Sequence, residues 1–312
     1  MLKPKAWLRI AFLAACAVAL GIFVARFPWS TMPGVIARAH PGLLAAALLV
    51  NLVSFPAKGS AWYFLLRDGG KCRWLAAQEA NLLGAATNSL SVSVAGETAR
   101  VRDLSTREGI PTGRVASSVV RTRAVEALAL ACFMLLAPLL LELPPLLHGL
   151  QATGGGLVLT LVAVAWSGRR VRLLELLPAK VRSILTQITE AGSLATFIPA
   201  LLFAILNWVA LWASYQLTIS AFGIQAPLAA SFTALIMTNL GGLFRLSPGN
   251  VGVTQAAMIA ALLPFGVPAQ ESLAAGVALQ AIQILPVLAL ALLLMGWRRY
   301  LTIAKRPRAT PS

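Results

Sequence analysis

Two stretches decide the fold of this chain: GIPTGRVASSVVRTRAVEAL at residues 109–128 and GVPAQESLAAGVALQAIQIL at residues 266–285. They align at a single offset, at which the Gly-x-Pro openings coincide and Val120 and Leu128 match Val277 and Leu285. Interrupted apolar segments at matching places in two halves of a membrane protein point to a transport site. The alternative is chance similarity, because Gly-x-Pro before an apolar helix is common and Ala/Leu/Val-rich sequence aligns easily with itself.

The composition is that of a polytopic membrane protein. Apolar residues make up 58% of the 312 residues and charged residues only 12%, and the mean hydropathy is +0.80. A soluble domain of this length cannot bury so much apolar surface. The net charge of +16 is concentrated at the ends of apolar runs, a pattern that sets membrane orientation and attracts anionic lipid headgroups. We therefore expect a single transmembrane domain over residues 1–312 in the cytoplasmic (inner) membrane, and no nucleic-acid partner.

Apolar runs between basic loops predict six full spans. They are Trp7–Ala25, Leu43–Leu66, Val115–Leu141, Leu150–Trp166, Leu194–Phe222 and Ser272–Trp297. Basic residues precede the first span and follow the last, which predicts that both termini are cytoplasmic.

Two further segments are too polar for helices that face lipid. Residues 75–94 are rich in Ser, Asn and Gln and have basic flanks, whereas residues 228–264 contain a Gly/Ser/Asn-rich stretch and have flanks without basic residues. A hairpin that enters and leaves on one side satisfies each charge pattern, provided that protein or water covers its polar backbone. We therefore predict two re-entrant elements, the first from the cytoplasm and the second from outside. Glu79 in the first is expected to pair with Lys71 or Arg73 at the inner surface.

The fold class expected is an all-α polytopic membrane protein with an inverted repeat. The first repeat unit covers residues 75–141 and the second covers residues 228–297. Between them, residues 169–190 place apolar residues near one helical face with basic residues interspersed, which predicts an amphipathic helix in the inner interface.

Charged residues at membrane depth are costly and are functional candidates. Arg123 and Glu126 are spaced to pair on one helix. The planar donor fork of Arg123 suits a lipid phosphodiester, with Glu126 setting its geometry; the alternative is an internal ion pair that fixes helix packing. Glu97 and Arg100 either gate headgroup access or are simply solvated charges.

Arg245 precedes a Pro/Gly break that contains Ser247 and Asn250. Such a break frees backbone N–H groups, and the helix after it directs its positive dipole end toward the break, so an anionic headgroup would suit this place. The alternative is that Arg245 extends to the interface from an ordinary helix end. His40 and His148 have no partner at metal-ligand spacing, and we expect neither a metal nor another cofactor.

Two motifs in the polar segments resemble those of a known family. Asn88 with Gly96-Glu97-Thr98-Ala99-Arg100 is similar to the first signature of flippase-like integral membrane proteins, which are related to the transmembrane (flippase) region of lysylphosphatidylglycerol synthases. The second signature is similar to the stretch from Ser247 to Ala257, and the match extends through Gly266-Val267-Pro268. The resemblance covers nearly the whole chain. It implies lipid translocation or a supporting role in envelope-lipid synthesis.

The chain departs from both signatures. Ser91–Ala95 replaces a usual Pro-Gly, and Thr254-Gln255 replaces a usual Arg-Glu, so proton coupling or charge pairing at the second place is in doubt. Passive scrambling or coupling to the membrane potential would fit better. Because no soluble aminoacyl-transferase segment follows the last span, lysyl transfer by this polypeptide alone is not expected.

Three functional hypotheses follow. The first is a lipid flippase or translocator that binds a polar envelope lipid, with an anionic or phosphate-containing headgroup, between the broken elements. The second is an accessory scaffold that recruits a cytoplasmic lipid-modifying enzyme through residues 169–190. The third is a membrane-embedded lipid transferase with Glu97 or Glu126 as its base, which the small number of acidic residues disfavours. The oligomeric state stays open.

Overall fold

The computed structural model describes residues 30, 32–67, 70–91, 95–145, 147–149, 151–152, 156, 193–243 and 247–304, with side chains through residue 301. Over these ranges the backbone forms α-helices, short 3₁₀ turns and loops, and contains no strand. The prediction of an all-α protein is therefore confirmed for this part of the chain.

The helices whose two ends the structure describes, numbered in chain order, are α1 Met32–Ala37, α2 Pro41–Arg67, α3 Trp74–Leu90, α4 Ala95–Glu108, α5 Thr112–Leu136, α6 Leu194–Ala221, α7 Leu228–Gly242, α8 Val253–Leu262 and α9 Ala269–Ala304. Residues 145, 147–149 and 151–152 are also helical. Short 3₁₀ turns follow α5 and α8, at Ala137–Leu139 and Leu263–Phe265, and a third, Pro248–Asn250, precedes α8.

Four helical segments are long and apolar enough to cross a membrane: Pro41–Arg67, Thr112–Leu139, Leu194–Ala221 and Ala269–Leu301. At about 1.5 Å per residue each is roughly 40–50 Å long, against a hydrocarbon core of about 30 Å. They coincide with four of the six predicted spans. The other two, Trp7–Ala25 and Leu150–Trp166, lie wholly or largely outside the described residues, as does the predicted interfacial helix at residues 169–190.

Polar hydrogen bonds join the long helices at their contacts. Ser214 Oγ on α6 donates to the carbonyl of Ala47 on α2 at 3.0 Å, and Asn51 Nδ2 on α2 donates to the carbonyl of Ile282 on α9 at 3.1 Å. Such bonds and small residues hold helices together in lipid, where the hydrophobic effect does not drive helix association. The α2–α6 contact is the most extensive one between the described helices, and α3, α5, α7 and α9 pack against this pair.

Helices α3 and α4 form the first hairpin. Their antiparallel course follows from two contacts: Arg73 at the start of α3 bonds Glu108 at the end of α4, and Asn88 near the end of α3 accepts a hydrogen bond from the backbone N–H of Gly96 at 3.1 Å. The two backbones touch at Gly84 and Gly96, where a Cβ on Gly96 would collide with the carbonyl oxygen of Gly84. Glycine is therefore required at the closed end of this hairpin.

Helices α7 and α8 form the second hairpin. Gly241 near the end of α7 lies against Val253 at the start of α8. The chain reverses through residues with positive φ, namely Gly249 (60°), Asn250 (57°) and Gly252 (85°). Such angles are the reason that this break is rich in Gly and Asn.

The closed ends of the two hairpins meet inside the bundle. A Cβ on Gly249 would lie 3.1 Å from the carbonyl oxygen of Ser89, which is at the end of α3. The breaks are therefore neighbours, although more than 150 residues separate them in the chain.

Helices α5 and α9 run in opposite directions between the hairpins. Helix α9 begins after the second hairpin and ends at the open end of the first, where Arg298 pairs with Glu79 at 2.6 Å and with Asp103 at 2.8 Å. Helix α5 begins at that open end, and its last turn packs against Phe232 of α7. This is the course that the predicted inverted repeat requires; the repeat and the six-span count themselves remain predictions.

Candidate functional site

A cavity of about 170 Å³ lies between the first hairpin and helices α2, α5, α6 and α9. Its charged lining consists of Lys58, Glu97, Arg100 and Arg123. The rest of the polar lining consists of Ser54 and of the carboxamides of Asn51, Asn81, Asn88, Asn207 and Gln283. Such a concentration of polar groups among apolar helices is the first indication of a functional site.

The site lies deep along its helices. Lys58 is about 14 Å along α2 from the Arg67 end, and Arg123 is about 17 Å along α5 from the Thr112 end. Because the hydrocarbon core is about 30 Å thick, a bilayer around these helices surrounds the site with lipid on the outside of the bundle.

Arg123 links the first hairpin to α5. Its guanidinium pairs with Glu97 at the start of α4 and donates from Nη1 to Glu126 Oε2 at 2.8 Å. The predicted Arg123–Glu126 pair therefore exists, and Glu97 joins it from another helix. Trp208 of α6 fixes the backbone of α5 at this position, since its indole N–H donates to the carbonyl of Glu126 at 3.0 Å.

Arg100 is the most deeply buried cation of the site, with only 3% of its surface exposed. Its Nη2 lies 2.6 Å from Glu97 Oε2, its Nη1 donates to Asn81 Oδ1 at 3.4 Å, and its guanidinium carbon lies 4.8 Å from the ring centroid of Trp62. Its Nε has no hydrogen-bond partner among the described residues. These contacts fix the side chain and leave N–H donors of the guanidinium, that of Nε among them, without a hydrogen bond to a described residue.

Lys58 is held more loosely than the two arginines. Its Nζ lies 3.6 Å from Glu126 Oε1, a longer separation than those of the Arg100–Glu97 and Arg123–Glu126 pairs. Glu126 Oε1 is buried and has no hydrogen-bond partner within the described part of the chain. The pair is therefore a charge contact across a gap and not a hydrogen-bonded bridge.

The charges of this cluster do not cancel. Lys58, Arg100 and Arg123 face the carboxylates of Glu97 and Glu126, which leaves one positive charge in excess. An uncompensated charge is expensive away from water. A ligand that brings a negative charge would lower that cost, so the cavity is suited to an anionic group.

The second half of the molecule has a neutral counterpart of the Arg123–Glu97 contact. Gln280 Nε2 donates to the carbonyl of Gly249 at 2.6 Å, and its Oε1 accepts a hydrogen bond from Gln255 Nε2. Gln255 is the third residue of α8, as Glu97 is the third residue of α4. Gln280 occupies the position that aligns with Arg123 in the two stretches quoted at the start.

The structure places the sequence-predicted residues in two groups. Asn88, Glu97, Arg100 and Arg123 line the cavity, and Glu126 contacts two of its cations. Ser247 and Asn250 instead shape the second break: Ser247 Oγ donates to the carbonyl of Val251 at 2.6 Å, and the Asn250 N–H donates to the carbonyl of Ser247. Arg245 lies outside the described residues, so its part in the site stays a prediction.

Sequence reasoning missed Asn51 and Asn207 in the lining. Both are buried carboxamides within apolar spanning helices. The available signal was their polarity, because a carboxamide within an apolar span marks a helix contact or a site.

A second charge cluster closes the open end of the first hairpin. Glu79 lies 2.6 Å from both Arg107 and Arg298, while Arg73 pairs with Glu108. The expectation that Glu79 pairs with Lys71 or Arg73 was therefore wrong, because the antiparallel packing of α3 and α4 brings Glu108 to Arg73.

Two titrating groups lie beside that cluster. The Arg73 hydrogen bonds hold the pKa of Glu108 below its usual range. Burial and the neighbouring Glu108 carboxylate raise the pKa of the Cys72 thiol to about 11. Within the described ranges no group of His, Cys, Asp and Glu side chains could hold a metal ion.

The fold and the site together define an α-helical membrane protein with broken helical hairpins and a charged internal cavity. The family model of the lysylphosphatidylglycerol synthase TM region matches residues 6–291. The chain therefore belongs to this family, as its two motifs had indicated, which associates it with lipid metabolism at a membrane. No curated protein shows significant similarity to it.

Proposed function

We propose that the protein binds the polar headgroup of an envelope lipid in the charged cavity and moves it across the cytoplasmic membrane between the two hairpins. The observation that carries the proposal is the positive charge in excess within a cavity of about 170 Å³ at membrane depth. A protein that serves only as a scaffold gains nothing from this costly arrangement.

In this proposal the headgroup enters along the first hairpin, where Asn88, Glu97, Arg100, Arg123 and Glu126 surround it. The second break, with Arg245, Ser247 and Asn250, offers backbone N–H groups on the way to the other leaflet. The contact between the two breaks, at Ser89 and Gly249, supports a continuous polar path. The first hairpin would enter from the cytoplasm and the second from outside.

The arrangement of the carboxylates disfavours the transferase hypothesis. Glu97 and Glu126 both pair with Arg123, and an arginine partner stabilises the ionised carboxylate, which makes it a weaker proton acceptor. The lipid-binding proposal needs them only as fixed charges.

A scrambling assay tests the proposal. The purified protein is reconstituted in vesicles that contain a fluorescent phospholipid, and a membrane-impermeant, irreversible quencher reports the fraction of label that reaches the outer leaflet during the assay. We expect the wild type to raise that fraction, Arg123→Ala and Arg245→Ala to abolish the gain, and Lys71→Ala, at an exposed position outside the cavity, to retain it. If the wild type moves no phospholipid of any headgroup class, the proposal is wrong.

Topology supplies an independent test. Single cysteines at Lys71, at the open end of the first hairpin, and at Pro268, in a variant without native cysteines, are labelled by an impermeant maleimide from either side of the membrane. We expect residue 71 to react from the cytoplasmic side and residue 268 from outside. Labelling of both residues from one side would contradict the opposed hairpins.

A further inference from the structure

The least constrained cation of the cavity is Lys58, which the sequence analysis did not place among the candidate site residues. Arg123 is engaged by two carboxylates, and Arg100 is fixed by Glu97, Asn81 and the Trp62 ring. Lys58 Nζ, in contrast, donates no hydrogen bond to a described residue and has one charge contact at 3.6 Å, to Glu126 Oε1. Its flexible stem also allows the ammonium to move by several ångströms.

Glu126 Oε1, which faces Lys58, is also weakly held. The other oxygen of this carboxylate accepts a hydrogen bond from Arg123, whereas Oε1 is buried without a hydrogen bond. Glu126 Oε1 is therefore a weak partner for Lys58, and a ligand oxygen can replace it. The reason is that a charged group gains most from short, hydrogen-bonded contacts.

We propose that Lys58 is the cation that binds the negative charge of the headgroup. Glu126 is the charge partner of Lys58 when no headgroup is bound. The inference rests on the proposed function, since it names the ligand class and the contact residue of the same cavity. When an anionic phosphodiester enters, Lys58 Nζ leaves Glu126 Oε1 for a phosphate oxygen, and Arg123 keeps Glu126 neutralised through Oε2. The unused Nε–H of Arg100 supplies a second donor to the ligand.

This exchange selects for charge. A headgroup with one net negative charge offsets the single positive charge in excess. A zwitterionic headgroup has no net charge and leaves that excess uncompensated. Glu126 also lowers the apparent affinity for every anion, because only the fraction of molecules with Lys58 released is competent to bind.

Lipid binding measured in nanodiscs tests the inference. The probes are fluorescent phosphatidylglycerol, which has one negative charge, and fluorescent phosphatidylcholine, which has none, each titrated against wild type and variants. Lys58→Met removes the ammonium, and we expect it to weaken phosphatidylglycerol binding about tenfold to hundredfold. Lys58→Arg should recover most of the loss, and Lys71→Met, which removes a charge outside the cavity, should bind as the wild type does.

Glu126→Gln separates this role from a merely structural one. If Glu126 competes for Lys58, its neutralisation strengthens phosphatidylglycerol binding by about threefold or more. If Glu126 instead helps to build the site, the same change weakens binding. The double variant Lys58→Met/Glu126→Gln removes both members of the pair, so neither charge loses its partner and the variant is a control for misfolding of Lys58→Met. It keeps one positive charge in excess but lacks the ammonium, so it should still bind phosphatidylglycerol more weakly than the wild type does.

The outcomes distinguish the two proposals. Equal phosphatidylglycerol binding by wild type, Lys58→Met and the double variant overturns the inference and leaves the proposed function standing. Weaker binding by Glu126→Gln also overturns it. A wild-type protein that neither binds nor moves any phospholipid overturns the proposed function, and with it the inference.

Discussion

In each hairpin, a residue of the following helix holds the second arm, but the two contacts differ in charge. In the first, Arg123 on the following helix holds the third residue of α4, Glu97, by a salt bridge. In the second, Gln280 at the aligned position holds the third residue of α8, Gln255, by a hydrogen bond between carboxamides. The first contact therefore uses formal charges, whereas the second, between residues that the structure describes, uses neutral groups.

This difference in charge distinguishes a role in ligand binding from a role in structural support. A buried ion pair gains little stability over a neutral pair once desolvation is counted, so the first half has no structural need for its charges. The carboxamides of the second half also satisfy the backbone, because Gln280 donates to the carbonyl of Gly249 and Gln255 accepts from Gly252 N–H. We therefore propose that the main charge contact with the ligand is at the first hairpin and that the second hairpin shapes the polar path.

The largest effect is expected when one charge of the first hairpin is removed alone. Arg123→Gln leaves Glu97 with Arg100 and Glu126 with Lys58 as the remaining charge partners, and the lost hydrogen bonds should lower the free energy of unfolding by about 3 kcal/mol. The double variant Glu97→Gln/Arg123→Gln copies the second half and should recover most of that loss, yet it should not bind anionic lipid as the wild type does. Thermal unfolding in detergent and lipid titration measure the two properties. Equal unfolding free energies for the single and double variants would contradict the equivalence of the two contacts.

Glycine substitutions compare the packing of the two closed ends. Gly96→Ala forces a Cβ onto the carbonyl oxygen of Gly84, where only backbone can yield, so we expect a loss of about 3 kcal/mol. Gly241→Ala meets the end of the Val253 side chain at 3.0 Å, which can rotate, so the loss should be about 1 kcal/mol or less. The midpoint of unfolding in each variant checks the order, and a Gly241 variant at least as damaged as the Gly96 variant would contradict it.

The second hairpin should tolerate the loss of its carboxamide link. Gln280→Leu leaves the carbonyl of Gly249 without this donor and should lower the free energy of unfolding by about 1–3 kcal/mol. Because Gln280 is outside the charged cavity, phosphatidylglycerol affinity should stay close to that of wild type, whereas the scrambling rate should fall if the second break lies on the path. A large loss of affinity would mean that ligand contact is not confined to the first hairpin.

The smallest effect concerns the open end of the first hairpin. The Cys72 thiol, with its pKa of about 11, is nearly all protonated at pH 8 and should react slowly with maleimide, faster as the pH rises toward 11. Glu108→Gln removes a negative neighbour that raises this pKa, so it should speed the reaction at pH 8 a few-fold. Alkylation rates in a Cys16→Ser/Cys132→Ser background measure this, and a slower reaction would mean that the carboxylate does not act on the thiol.

Part of the fold and of the site was predictable from local sequence. The apolar runs predicted four spans that the structure contains, whereas the equivalence of positions 123 and 280 stays a prediction of the repeat. The pairing of Arg123 with Glu126 followed from helical spacing. The roles of Asn51, Lys58 and Asn207 did not, because each acts on a residue of another helix and leaves no local pattern.

The sequence by itself determined that the protein is a helical membrane protein with costly charges at depth, because hydropathy and charge placement act over one helix length at a time. Only the tertiary structure decided which charges meet. Glu97 reaches Arg123, and Lys58 reaches Glu126, because the packing of a broken hairpin against two spanning helices sets distances that no spacing along the chain encodes.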